Sequence, residues 1–200
     1  MFEIRGRADF LRLAFLFEGG LVGLAFALDA LLPRPETAAS LAQQLAAFDL
    51  PALGWGLLAT LPMLAFYVLA ERSTWGPLRR IREFLVEELG PALLLCRWYD
   101  FVWIALLAGF GEELVFRGAL QPRIGLIAAS VLFGCVHSIT PAYVLLAGAI
   151  GFFLGWLTQA TGNLWPAILS HGLYDLFAFA MITRLVRREP PIESSDDGAD

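Results

Sequence analysis

With 200 residues, 58% of them apolar and only 16% charged, and a mean hydropathy of +0.67, the chain is far more apolar than an ordinary soluble domain, which carries about 25% charged residues. The formal net charge of −5 originates in the last twelve residues, where Glu189, Glu193, Asp196, Asp197 and Asp200 stand without a base. The remainder is neutral, its cations are all Arg, and no basic surface for nucleic acid is implied.

A membrane crossing needs about 20 mostly apolar residues. Leu13–Leu32 meets this with Glu18 and Asp29 as exceptions, and it is longer than the apolar region of a secretory signal. Its connection to the next span, Pro33–Leu50, holds a single Arg. Pro51–Ala70 is the second span. Pro77–Gly90 places Leu78, Ile81, Phe84, Leu85 and Leu89 at helical spacing opposite Arg79, Arg80, Arg82, Glu83 and Glu87, the pattern of an amphipathic helix on the membrane surface. Pro91–Gln121 is apolar but carries Arg97, Asp100, Glu112, Glu113 and Arg117, so a tilt or break is expected near Arg97–Asp100. Ile124–Thr140, Pro141–Ala160 and Leu164–Thr183 complete six crossings.

The expected fold is therefore all-α, a polytopic integral membrane helix bundle with about six transmembrane helices and one amphipathic surface helix. The chain divides into residues 1–90 (two spans and the surface helix), 91–186 (the core) and 187–200 (a disordered acidic tail). Ten of the fourteen Arg residues flank the spans on one side, which the positive-inside rule makes cytoplasmic, with both termini there. Gly19/Gly23 and Gly151/Gly155 give small-xxx-small spacings that allow close helix approach. Cys96 and Cys135 lie in apolar runs and read as small core residues.

Ionisable groups at membrane depth are costly and usually face a protein interior or a wet cavity. Taking Gln121–Arg123 and Gly162–Asn163 as outer helix ends, a rise of about 1.5 Å per residue puts Glu112 ~15 Å, His137 ~20 Å, His171 ~10 Å and Asp175 ~16 Å below that face. Three helices thus bring these groups to a similar level. Glu113 and Arg117 are four apart and can pair, as can His171 and Asp175, and Phe133 lies one turn before His137. Glu112 points about 100° from Glu113, which frees it for another partner. Each feature alone has a structural reading: an ion pair locking helices, a hydrogen-bonded core histidine, a polar helix–helix contact. The conjunction carries more weight, because the only two histidines of the chain lie in separate apolar helices level with Glu112.

Glu112-Glu113-Leu-Val-Phe-Arg117 reads EExxxR, Phe133-Gly-Cys-Val-His137 reads FxxxH, and His171-Gly-Leu-Tyr-Asp175 reads HxxxD. In this order, across about Pro91–Thr183, the motifs resemble those of the CPBP family, the CAAX-processing type II prenyl endopeptidases and Abi-like membrane proteins. The resemblance implies an intramembrane glutamic endopeptidase that needs no cofactor. In that scheme Glu112 and His137 activate water, Glu113 and Arg117 form a supporting ion pair, and His171 and Asp175 lie by the oxyanion. Asp175 stands where CAAX-processing members usually have Asn. An ionised carboxylate repels an oxyanion, so Asp175 is expected to orient and charge His171, which then donates alone. The implied partners are the lipid bilayer and a membrane-anchored peptide or protein substrate, in a bacterial inner membrane. Processing of secreted peptides or removal of a C-terminal anchor fits better than a prenylated CAAX substrate.

Three rivals stand beside this reading. Zinc held by two Glu and two His is the alternative cofactor, although no HExxH is present and 34 residues separate the histidines. A non-catalytic interaction or toxin-immunity protein would need the helices but not the water. An ion carrier would need a longer polar path than this single level provides. Phe116, Phe133 and Trp165 are candidate wall residues of the cleft.

Overall fold

The computed structural model describes residues 6–188, so the acidic tail after Arg188 and Arg5 lie outside the described residues. Ten α-helices and two π-helical turns follow in order: α1 (Arg7–Leu31), α2 (Leu41–Ala46), α3 (Leu50–Arg72), α4 (Gly76–Phe84), a π turn (Leu85–Leu89), α5 (Gly90–Leu94), α6 (Trp98–Glu113), a π turn (Leu114–Leu120), α7 (Gln121–Ile124), α8 (Leu126–Val136), α9 (Pro141–Thr161) and α10 (Trp165–Arg188). No strand occurs among the described residues. This is an all-helical membrane bundle.

Three helices, α2, α3 and α9, begin where the sequence supplies a side-chain cap. The Asp49 side chain accepts from Ala52 N, and Thr140 from Tyr143 N, each with Pro in the first helical turn. Ser40 and Gln43 form a capping box that opens α2. These groups satisfy orphan N–H donors that the membrane interface hydrates poorly. The break expected near Arg97–Asp100 is present: α5 ends at Leu94 and α6 restarts at Trp98, with the Asp100 carboxylate accepting from Arg97 N at 2.7 Å. Arg7 of α1 donates to the same carboxylate from Nε at 2.7 Å. This ties the start of α1 to the start of α6.

Four helices (α1, α3, α9 and α10) are each long and apolar enough to cross a membrane. Trp98–Ile124 is helical throughout, and at ~1.5 Å per residue it also exceeds a hydrocarbon core of about 30 Å. Ile124–Thr140 departs from expectation. It yields only α8, 11 residues long, or about 16 Å, because Gly125 bends the chain at one end (φ 84°) and the helix stops at His137. The six passes thus include one of half length. Leu16, Leu31, Ile127 and Leu145 are more than two-thirds exposed, as befits side chains that face lipid.

Contacts give the directions of the helices. Glu18 of α1 lies beside Gly111 of α6, so these two run parallel. Phe101 meets Phe179 and Gly109 meets Gly172, so α10 runs antiparallel to α6. Tyr67 of α3 packs on Tyr174 and Phe177 of α10 in a parallel pair. The Arg-bearing start of α1 and ends of α3 and α10 therefore share one end of the bundle. There the amphipathic α4 buries Ile81, and Gly90 packs against Val186.

In lipid, helix association depends on close packing rather than on burying apolar surface from water. The closest approaches to a neighbouring backbone are at Gly109, where a Cβ would lie 2.6 Å from Gly172 N, and at Gly134, where it would lie 2.5 Å from Val144 O and 3.1 Å from Gly148 N. The spacings singled out in the sequence behave differently. Gly19 and Gly23 meet nothing within 4 Å. Gly151 and Gly155 instead present carbonyls to Arg117 Nη2 and Gln121 Nε2, both at 2.9 Å. Cys96 is buried as expected, but Cys135 is exposed, because the seam of α8 against α9 runs through Ser130, Phe133 and Gly134 and leaves Cys135 on the outer face.

Candidate active site

Glu112 and Glu113 end α6, and the chain continues directly into the π turn that holds Arg117. The wider turn distinguishes this stretch from regular α-helix, and such π segments often mark functional positions. Glu113 and Arg117 are fully buried and pair at 2.7 Å. Arg117 Nη2 donates to Gly151 O, and its guanidinium lies 4.4 Å from the Phe133 ring centroid. Carboxylate, carbonyl and π-face together offset the cost of placing the guanidinium in a low-dielectric interior.

Glu113 has a second partner that the sequence did not show. The same Oε1 lies 2.8 Å from His171 Nδ1. The Gly109–Gly172 contact makes this possible, since it brings α10 against α6 one residue from His171. Asp175 Oδ2 is 3.5 Å from His171 Nε2. Glu113 thus holds Nδ1 of His171, and Asp175, expected to orient and charge that ring, faces the other nitrogen.

His137 caps the end of α8, just past its last helical residue. Its Nδ1 lies 2.8 Å from Phe133 O. A carbonyl only accepts, so Nδ1 carries the proton and Nε2 of the neutral ring presents a lone pair. The ring packs on Phe133 with centroids 4.5 Å apart. Its Nε2 is 3.7 Å from Glu112 Oε2, and His171 Nε2 is 3.9 Å from that same oxygen. Both separations exceed hydrogen-bond length. Polar contacts longer than about 3.5 Å are ones that an intervening water can bridge. Glu112 Oε2 is buried without a hydrogen-bond partner.

These groups line a cavity of about 310 Å³, together with Glu18, Tyr143, Tyr174 and Asp175. A neighbouring hollow of about 130 Å³, bounded by Phe66, Ile81 and Leu85 with Glu71 and Arg82, shares Tyr143, Tyr174 and Asp175 with it. Of the candidate wall residues, Phe133 lines the cavity. Phe116 stands behind it in an edge contact at 5.0 Å. Trp165 is remote: it packs on Phe48 and Phe110 and donates from Nε1 to Leu45 O. All seven named residues of the three motifs are thus brought together. Among the described residues, no three His, Cys, Asp or Glu side chains are grouped as metal ligands would be.

Glu18 was legible only as an interruption of an apolar span. Nothing in the sequence placed it at this cavity, because α1 lies outside the motif-bearing helices. Its presence in an otherwise lipid-facing helix was the available signal.

Residues 94–177 match the Rce1-like family, described as type II CAAX prenyl endopeptidase Rce1-like. The Rce1-like segment contains all seven motif residues and agrees with the family resemblance read from the motifs. The chain is also 38% identical over 92 residues to the uncharacterized protein YpbD of Bacillus subtilis (strain 168), a match covering 44% of this chain and 49% of that protein. The match thus spans about half the length of the curated relative. No solved structure matches. The Rce1-like segment and the apolar helices together identify an integral membrane protein.

Proposed function

We propose that this chain is an intramembrane endopeptidase that hydrolyses a peptide bond of a membrane-associated peptide or protein with a water activated by Glu112 and His137. One observation carries the reading: a buried, unpartnered carboxylate oxygen stands 3.7 Å and 3.9 Å from two imidazole nitrogens donated by separate elements. A water between them would donate one proton toward Glu112 and the other toward His137 Nε2, leaving an oxygen lone pair for the scissile carbonyl. Glu112 then takes the proton as general base and returns it to the leaving amine. The carbonyl oxygen becomes an oxyanion. His171, charged against Glu113, would donate to it from Nε2 in a cavity where such a donor acts more strongly than in water. The products are a carboxylate and an amine, and Glu112 is regenerated.

The Glu113–Arg117 pair fixes this arrangement rather than entering the reaction. The Arg-rich end of the bundle is read as cytoplasmic by the positive-inside rule, which places both termini there in a bacterial inner membrane. Comparing membrane peptides by mass spectrometry in cells carrying the intact chain or Glu112→Gln tests the function. A product that vanishes in the variant identifies reaction and substrate together. A biological function that persists with Glu112→Gln at normal expression would instead mark a non-catalytic interaction protein.

A further inference from the structure

Glu18 is the one cavity-lining carboxylate that lies outside the three motifs and outside the segment matched by the family. It belongs to α1, where Leu16 and Phe17 face outward, yet its side chain turns into the cavity shared by Glu112, His137 and His171. The placement follows from a close helix crossing: a Cβ at Gly111 would lie 2.8 Å from Glu18 O. The α1 backbone therefore rests on α6 immediately beside Glu112. Glu18 Oε2 is buried with no hydrogen-bond partner, and no ion pair engages it among the described residues.

The charge of the lining gives this position a consequence. Three carboxylates (Glu18, Glu112 and Asp175) and two imidazoles line the cavity, and no Arg does. Arg117 is committed to Glu113 and Gly151 O, and Arg82, which lines the adjoining hollow, donates to Glu71 O. Even with both imidazoles protonated, the ionised lining remains net negative. A carboxylate held ionised at membrane depth without a partner bears a desolvation cost, which a proton or an incoming donor or cation relieves.

We infer that Glu18 is a specificity-determining residue that accepts a cationic side chain, lysine or arginine, of the substrate near the scissile bond. The chemistry selects against acidic residues at that position, since a fourth carboxylate would enter a cavity whose lining already holds three. Glu18 takes no proton in the reaction; it positions the chain that Glu112 attacks. The inference takes its substrate from the peptidase reading, and the test separates the two.

The probes are membrane-inserting fluorogenic peptides of one sequence in which a single lysine, norleucine or glutamate is walked along the chain. With the full-length protein in liposomes, the best lysine peptide is expected to be cleaved about tenfold faster than its norleucine counterpart, the scale of one partly screened ion pair. That ratio should fall to near one in Glu18→Gln and shift toward the glutamate peptide in Glu18→Arg. The same peptides are titrated onto Glu112→Gln with and without Glu18→Gln, so that binding is read without turnover. A lysine preference in binding that Glu18→Gln removes, even with no cleavage by the wild-type chain, supports the cation site and sinks the peptidase. Cleavage with equal lysine preference in wild type and Glu18→Gln overturns the inference and leaves the peptidase standing. Equal rate loss on every peptide in Glu18→Gln, with unchanged binding ratios, also overturns it, because Glu18 would then act on the chemistry.

Discussion

Glu113 Oε1 lies 2.7 Å from Arg117 Nη1 and 2.8 Å from His171 Nδ1, so a single oxygen joins the first motif to the third. Removing it leaves a buried guanidinium and an unanchored imidazole at once. Glu113→Ala is therefore expected to cost about 3–5 kcal/mol, seen as an earlier unfolding transition in detergent. An unchanged transition would mean that the pair contributes nothing to the stability of the bundle.

Glu112→Gln makes a different prediction. The side chain keeps its shape, and the native carboxylate has a buried oxygen without a partner to lose. Folding should persist while peptide cleavage falls by about 10²–10⁴-fold, the usual range for loss of a general base. Wild-type turnover in a well-folded Glu112→Gln protein would remove Glu112 from the mechanism.

Asp175→Asn should be mild. His171 Nδ1 is already held by Glu113, and Asp175 stands 3.5 Å from the other nitrogen. Cleavage is expected to stay within about tenfold of wild type, well short of a general-base loss. A loss as deep as that of Glu112→Gln would show that the Asp175 charge is itself required.

Gly109→Ala tests the helix crossing that delivers His171. The added methyl would sit 2.6 Å from Gly172 N, a backbone atom that cannot swing aside. Separation of α6 and α10 should cost about 1–3 kcal/mol and reduce cleavage with it. The comparison is a thermal melt beside an activity assay, and a variant unaffected in both would dismiss the contact as unimportant.

Chelator treatment addresses the cofactor. The Nδ1–carboxylate contact of His171 also suits a metal-ligating imidazole, so the question is worth an experiment. The water-activation scheme predicts full activity after prolonged chelation. Loss of cleavage restored by added zinc would replace it with a metal mechanism.

The chemistry of the site was more legible in the sequence than its supports. Helical spacing alone paired Glu113 with Arg117 and His171 with Asp175, and depth arithmetic put Glu112, His137 and His171 at one level; the structure brings all of these together. Contacts between helices escaped because they depend on which faces meet. The Glu113–His171 bond spans 58 positions in the chain, and no local pattern announces it. Glu18 was hidden for the same reason. Hydropathy overstated α8, because no Asp, Glu or Arg after Val136 interrupts the run before Thr140, while the chain stops being helical at His137. Small-residue spacings were equally ambiguous: Gly19 and Gly23 have the pattern without a neighbour, whereas the contact of Gly109 with Gly172 lies between two helices.

The outward placement of Cys135 has a practical value. Cys96, the other cysteine of the chain, is buried, so a thiol-reactive nitroxide or fluorophore should attach at one position without any engineered substitution. That position is two residues from His137, on the short helix whose end carries the imidazole. The native chain therefore offers a spectroscopic reporter for movement of this helix when a peptide occupies the neighbouring cavity.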